Sequence, residues 1–504
     1  MTSDVCFALG RDWRRLRGAS TNHLRPRPEA GLDTCGSKIA PILAFMLPIS
    51  QLRFNALAGY ARDPRTSLYA DELAWFEHAQ EKVLGVLIRD HADNDFAGIV
   101  LARDELKQYR WTAMTDFEST PRRARALLRP AMERAAMAPD EEHYQGHSNH
   151  KVVDFFKPLV ERDRLNSSFL SLVELEGFSS ARGIIEPMMR WYEDVDGNFI
   201  EQFQTAAFDA RIWELYLFAT LVEMGFRLDR TKVAPDFIAS GLHGQIAIEA
   251  VTVNPTRDPQ GAIVDPPTAT TAEEQHAFLR EYMPIKFGSA LYSKLVREYW
   301  AQPHVRGLPF TLAIQDFSSP GSMTFTRTAL QIYLYGYDHD WRHDATGNLI
   351  ITPRRITTHR WESKQIPSGF FFLPGSENIS AVIFSNSGTI SKFNRMGSIA
   401  GFGSKSVRMI REGFAHDSNP NSAAPKHFRY VVGSSDHTET WVEGLTVFHN
   451  PQANLPLSHE TFPGAAHIHL QPDGNVRALT PQWYPYSSRT IITTAAPTTD
   501  QSVA

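Results

Sequence analysis

Between Phe203 and Tyr335 the apolar positions switch period several times, and each switch marks an element. Phe203, Ala206, Ala210, Trp213, Leu217, Leu221 and Met224 recur at helical spacing, and Gly225 stops the run where a helix stop belongs. Three short strands follow, at Phe226–Leu228, Asp236–Ala239 and Gln245–Val253. Pro255 and the stretch Asp258–Ala272 read as a loop, Phe287–Trp300 as a helix, Pro309–Phe317 as a fourth strand and Thr326–Tyr335 as a packing helix. The predicted order is helix, three strands, helix, strand.

The flanking regions carry weaker patterns. Leu73, Trp75, Phe76, Ala79 and Val83 predict a helix over Tyr69–Leu84, and strands are expected at Leu84–Arg89, Phe96–Arg103 and Tyr109–Thr115. Thr120 and Pro121 open a helix that runs to Ala136. Val152–Leu170 and Gly183–Glu193 read as helices, the latter kinked or started at Pro187, and Asp194–Asn198 as a turn holding only a fragment of a calcium-loop pattern. Beyond residue 336, Phe370–Leu373, Ile379–Ser385, Phe428–Val432 and Trp441–Phe448 are the expected strands, which either extend the central sheet or form a separate module. The fold class is thus α/β and α+β, multidomain, with a β-rich C-terminal region. The expected division is a poorly ordered extension (1–50), a small α+β domain (51–136), a helical linker region (137–201), a central core (202–336), the β-rich region (337–486) and a disordered tail (487–504).

Composition narrows the class. At 504 residues the chain exceeds one ordinary core, and 42% hydrophobic with 21% charged residues is a soluble balance. A formal charge of -5 gives no global basic footprint, although a local basic cleft would not show in the total. Cys6 and Cys35 suit a reducing compartment, which points to the cytoplasm, and exclude a disulfide scaffold or a cysteine-based zinc site. No apolar run approaches the roughly 18 to 20 residues that span a bilayer, so no membrane partner is expected.

Three acids stand out in the central region: Glu214 within the apolar helix, Asp236 at the opening of a strand, and Glu249 inside an otherwise apolar or β-branched strand. A charge buried in a strand is costly to desolvate unless compensated, and a bound cation is one compensation. With this element order, Pro235-Asp236, Glu249 and Glu214 resemble the motif of the PD-(D/E)XK nuclease superfamily, the restriction-endonuclease-like fold, over roughly residues 209 to 317. The resemblance implies an α-β-β-β-α-β core that cuts DNA, in preference to RNA, with Mg²⁺ or Mn²⁺. It makes Asp236 and Glu249 catalytic metal ligands and Glu214 a further ligand or the holder of an outer-shell water.

One position departs from the motif: the expected lysine is Val251. Some members move that lysine to the next helix, where Lys286 and Lys294 are the candidates, with Lys294 preferred. Independently of resemblance, phosphodiester hydrolysis needs a divalent ion held by hard oxygen donors and a cation near the developing charge. The alternative assigns Glu214 to a helix surface, Asp236 to a turn, and Glu249 to a half-buried pair with a base such as Arg227. In that case the protein is a catalytically inactive nucleic-acid-binding or scaffold protein.

Other segments offer weaker chemistry. The glycine-flanked turn Ser385–Gly397 presents Lys392, Asn394 and Arg395 as candidate nucleic-acid contacts, with a structural turn as the competing reading. His143, His147 and His150 fit a solvent loop better than a metal site, and Tyr337–Asp344 fits a linker better than a metal cluster. A metal hydrolase built on the latter would need Asp338, His339 and His343 to converge. His467 and His469 share a strand face without a third ligand evident from spacing. Serine-hydrolase, P-loop and dinucleotide signatures are absent. The sequence therefore predicts a Mg-dependent endonuclease with DNA as partner, and leaves homo-oligomerisation open.

Overall fold

The computed structural model describes residues 45–145, 153–192, 197–435 and 437–494. The expectations placed on 1–44, His147, His150, Asp194 and 495–504 lie outside the described residues, as do Cys6 and Cys35. Two compact units divide near residue 154.

In the first unit β1 (Leu47–Ile49), β2 (Ala70–His78), β3 (Val83–Asp90), β4 (Phe96–Arg103) and β5 (Tyr109–Met114) form an antiparallel sheet in sequence order. Helix α1 (Pro121–Met137) starts as the sequence predicts, with Thr120 Oγ1 accepting the Arg123 N–H at 3.4 Å. Its Leu128 and Met132 lie so close to the sheet that a Cβ at Gly98 would stand 2.8 Å from Leu128 and one at Gly85 2.5 Å from Met132. The helix expected over Tyr69–Leu84 is instead β2 and the start of β3. Ala79, Gln80 and Glu81 adopt positive φ and turn the chain back, and pairing with the buried β3 overrides the local helical spacing.

The second unit is organised by an eight-stranded sheet. Helix α2 (Phe208–Glu223) leads into β6 (Arg227–Asp229), β7 (Phe237–Gly241) and β8 (Gly244–Val253), then helix α3 (Met283–Leu295) crosses to β9 (Phe310–Asp316). Strands β6, β7 and β8 form an antiparallel meander, and β9 lies parallel to β8. The predicted order of elements is present, with a short hairpin and a further helical segment inserted between β8 and α3. The long helix expected from Phe203 is interrupted. Gln204 is fully buried and bonds Phe155 O, Lys157 O and the Leu159 N–H, so this polar side chain anchors the incoming chain at the break.

After helix α4 (Arg327–Tyr335), the sheet continues through β10 (Ala381–Ser385), β11 (Leu445–His449), β12 (Ala466–Leu470) and β13 (Val476–Leu479), so that strand order follows sequence order from β6 to β13. The boundary expected at 336/337 therefore cuts through one sheet. A separate three-stranded sheet pairs Val407–Ala415 with Lys426–Val431 and with Pro485–Thr494, which places residues 487–494 in a strand rather than a tail. Phe370–Phe372 is a 3-10 turn instead of a strand, and in place of a helix over Val152–Leu170 the described part holds a 3-10 turn at Arg162–Arg164 and becomes α-helical only at Ser167–Glu174. Pro187 lies inside the helix Ser179–Trp191. Among the described residues no helix is long and apolar enough to cross a membrane.

Candidate active site

Strand β8 is apolar and buried along most of its length, and Glu249 is buried within it at 4% exposure. Phe237 pairs with Ile248 in antiparallel register, so Asp236, one residue before β7, arrives beside Glu249. There Asp236 Oδ2 accepts the Ala250 N–H at 2.7 Å, a hydrogen bond that continues the ladder through a side chain. Lys294, near the C-terminal end of α3, returns across the sheet and donates from Nζ to Glu249 Oε1 at 2.6 Å. Val251 is 4% exposed and belongs to the core. The strand position that would hold a lysine is apolar, and the cation comes from the helix.

This cluster is electrostatically frustrated. Burial, followed by the charge of Glu249, pushes the Asp236 carboxyl well above the usual carboxylate range. Burial pulls Lys294 down, but the charge and hydrogen bond of Glu249 outweigh it and leave the ammonium above its ordinary value. Among the described residues Asp236 Oδ1 and Glu249 Oε2 accept no side-chain or backbone hydrogen bond, which leaves a hard oxygen donor on each of two opposed positions. Paired carboxylates that each keep an oxygen without a hydrogen bond offer hard donors of the kind a divalent cation takes.

Glu214 serves this cluster differently from the expected third ligand. Arg211 Nη1 donates to both of its carboxylate oxygens at 2.9 and 2.8 Å, and the Tyr192 hydroxyl donates at 2.6 Å. Burial and then the charge of Asp236 raise its pKa to about 7. With both oxygens engaged, Glu214 is a neighbour that modulates Asp236 rather than a free ligand. Arg230 completes the surroundings, its guanidinium 3.7 Å from the centre of the Tyr192 ring and 5.1 Å from that of Phe237. Its Nε and Nη1 are buried without hydrogen-bond partners, and its positive charge acts on both Asp236 and Glu214.

The other expected residues separate from this cluster. Lys286 Nζ donates to Asn254 O and Thr256 Oγ1, both at 2.9 Å, and so ties down the end of β8 away from Glu249. Lys392, Asn394 and Arg395 correct the phosphate-contact expectation. They lie in helix α5 (Ile390–Ile399), not in a turn, and are at most 2% exposed. Lys392 and Arg395 both bind Glu439, while Asn394 bonds Ala181 N and Gly177 O, so no donor remains for a nucleic-acid backbone. Asp338, His339 and His343 do not converge: they bond Arg354, Gly474 O and Asn421 O respectively. His143 is buried against Ala135 O. Arg227 is exposed on β6, and the partner of Glu249 is Lys294.

Sequence reasoning missed Arg230 and Tyr192, which no motif marks, and Arg297. The last is exposed, hydrogen-bonds Tyr299 Oη at 3.0 Å, and lies within the field of Glu249. It also missed the company of His467 and His469. His449 and His459 join them, and burial, followed by mutual repulsion, holds His449 down to about 2. Comparison of the chain with protein-family models, with curated proteins and with solved structures finds no match.

Proposed function

We propose that Asp236, Glu249 and Lys294 form the active site of a metal-dependent phosphodiesterase of the restriction-endonuclease-like class, acting on DNA. The observation that carries this reading is the 2.6 Å contact between Lys294 Nζ and Glu249 Oε1, in which a helix supplies the cation missing at Val251. The α2-β6-β7-β8-α3-β9 order and the mixed pairing of its strands agree with that class.

In this proposal Asp236 and Glu249 hold Mg²⁺ or Mn²⁺ through their oxygens. The ion supplies Lewis-acid polarisation of the scissile phosphate and activation of water. Lys294 stabilises negative charge developing on the phosphate and holds Glu249 in place through its hydrogen bond. Glu214 and Arg230 set the charge that Asp236 experiences, and the exposed Arg297 offers a contact to the nucleic-acid backbone.

A second reading, an inert nucleic-acid-binding or scaffold protein, draws on one observation. Arg211, Arg230 and Lys294 formally balance Glu214, Asp236 and Glu249 without any metal. Incubation of the purified chain with labelled DNA and RNA in Mg²⁺ or Mn²⁺ separates the two. The enzyme reading expects cleavage that disappears in Asp236→Ala. DNA binding that survives this substitution, with no metal-dependent turnover in the unsubstituted chain, establishes the inert reading instead.

A further inference from the structure

A second group of ligating side chains lies on the same sheet, three strands from β8. His449 ends β11, His467 and His469 stand on β12, and His459 opens a one-turn helix in the connection between those strands. His449 Nε2 is 2.9 Å from His467 Nδ1, and His459 Nε2 is 2.7 Å from His469 Nε2. One ligand atom each from His449, His459 and His467 fall within 4.8 Å of one another. His449 and His469 stack, with ring centres 4.1 Å apart.

Several features prepare these rings to bind an ion. His467 Nε2 stands 3.2 Å from Phe462 O and must carry the proton donated to that carbonyl, so the Nδ1 facing His449 bears the lone pair. The Tyr335 hydroxyl lies 3.0 Å from His449 O and 2.8 Å from Ile468 O, which fixes the two strand ends relative to each other. Asn450 holds the chain after His449 by bonding Ser376 O and Ile379 O at 2.8 and 2.7 Å. A tetrahedral ion with metal–nitrogen bonds of about 2.0–2.1 Å needs ligand nitrogens about 3.3 Å apart. The His449–His467 pair lies inside that spacing and the outer limit of 4.8 Å for the three ligands lies outside it, so side-chain rotation would draw the third nitrogen in to meet an ion.

We infer that His449, His459 and His467 form a transition-metal site, with Zn²⁺ as the fitting ion and His469 beside His459 as the neighbour that orients it. Imidazole donors without a carboxylate select borderline ions over Mg²⁺ or Mn²⁺, so the site differs in chemistry from the carboxylate pair. It also differs in place. Glu249 lies in one transverse row with Leu312, Val382, Phe448 and Ile468, whereas His449 lies in the next row with Ala381, Thr311 and Ile248. Side chains of successive rows point to opposite faces of the sheet. Three ligands close a loop between β11 and β12, so the ion would cross-link those strands and leave one coordination position for water or a small molecule.

The test is metal binding by the full chain after chelator treatment and dialysis. The expected result is one tightly bound equivalent of Zn²⁺ by elemental analysis, a rise in thermal stability on adding Zn²⁺, and visible absorption of tetrahedral type with Co²⁺. His459 is exposed, so His459→Ala retains the fold and should weaken Zn²⁺ binding at least about 100-fold, with His469→Ala weakening it about tenfold. Asp236→Ala should leave the Co²⁺ spectrum unchanged, which separates this site from the proposed nuclease centre. Failure of the unsubstituted chain to bind Zn²⁺, or unchanged affinity in His459→Ala, overturns the inference.

Discussion

Two charge clusters in the second unit, one buried and one half-buried around Glu249, use the same residue types to opposite effect. Around Glu439, the guanidinium of Arg395 is bidentate at 2.8 and 2.8 Å, Lys392 Nζ stands 2.8 Å away, and Arg411 lies at 3.4 Å. Burial opposes the charge on Glu439, but Arg395, Lys392 and Arg411 overcome it and hold the carboxyl well below its usual range. Around Asp236 the balance reverses: burial and Glu249 push the carboxyl up, and the Ala250 N–H, Lys294 and Arg230 only partly offset them. The first cluster is closed by cations that enclose the acid. In the second, neighbouring carboxylates repel each other and keep oxygens without hydrogen bonds. Removing the acid from a cluster of the first kind strands its buried cations, whereas frustration of the second kind is a pattern that functional sites share.

Substitution should expose this contrast most strongly at the two central acids. Glu439→Gln removes the charge that compensates Lys392, Arg395 and Arg411 and is expected to destabilise the protein by about 3–5 kcal/mol in chemical denaturation. Asp236→Asn is expected to leave stability within about 1 kcal/mol of the parent and to abolish metal-dependent cleavage of DNA. If Glu439→Gln unfolded no more readily than Asp236→Asn, the two clusters would not differ in kind.

Next in size is Lys294→Ala, which should reduce cleavage by about 100-fold, or roughly 2.7 kcal/mol of barrier, while Lys286→Ala retains activity. Equal losses in both variants would contradict the assignment of the helix lysine. Glu214 supplies a pH test. Its carboxyl titrates at about 7 in the folded protein against 4.5 ordinarily, so the folded state holds the extra proton between those values. Stability should therefore fall as pH rises from 4.5 through 7, by on the order of 1–3 kcal/mol in the metal-free protein, and Glu214→Gln should flatten that slope. The smallest expected effect is that of Arg297→Ala, which should weaken DNA binding modestly and reduce its dependence on log salt by about one unit.

Several elements are legible in the sequence because local signals coincide there. The helix stop at Gly225, whose φ is +77°, the Thr120 cap and the apolar runs of β8 and β9 each encode their own element. The misread segments are those where a distant partner decides. Tyr69–Leu84 became strand because β3 lay ready to pair with it, and Ser385–Gly397 became largely helix because Glu439 and Gly177 receive its polar side chains.

By itself, then, the sequence determined the order helix, three strands, helix, strand, with Asp236 at the entry to one strand and Glu249 inside the next. Only the tertiary structure decided which cation meets those acids. Lys294 reaches Glu249 across 45 residues, Lys286 is drawn to the end of β8, and Lys392 and Arg395 are consumed inside a buried network. The four histidines likewise become a cluster only when parallel β11 and β12 set His449 beside His467. Hydrophobic period is a property of neighbours along the chain. Charge compensation and metal ligation depend on distances of a few ångströms in space, which spacing in the sequence does not encode.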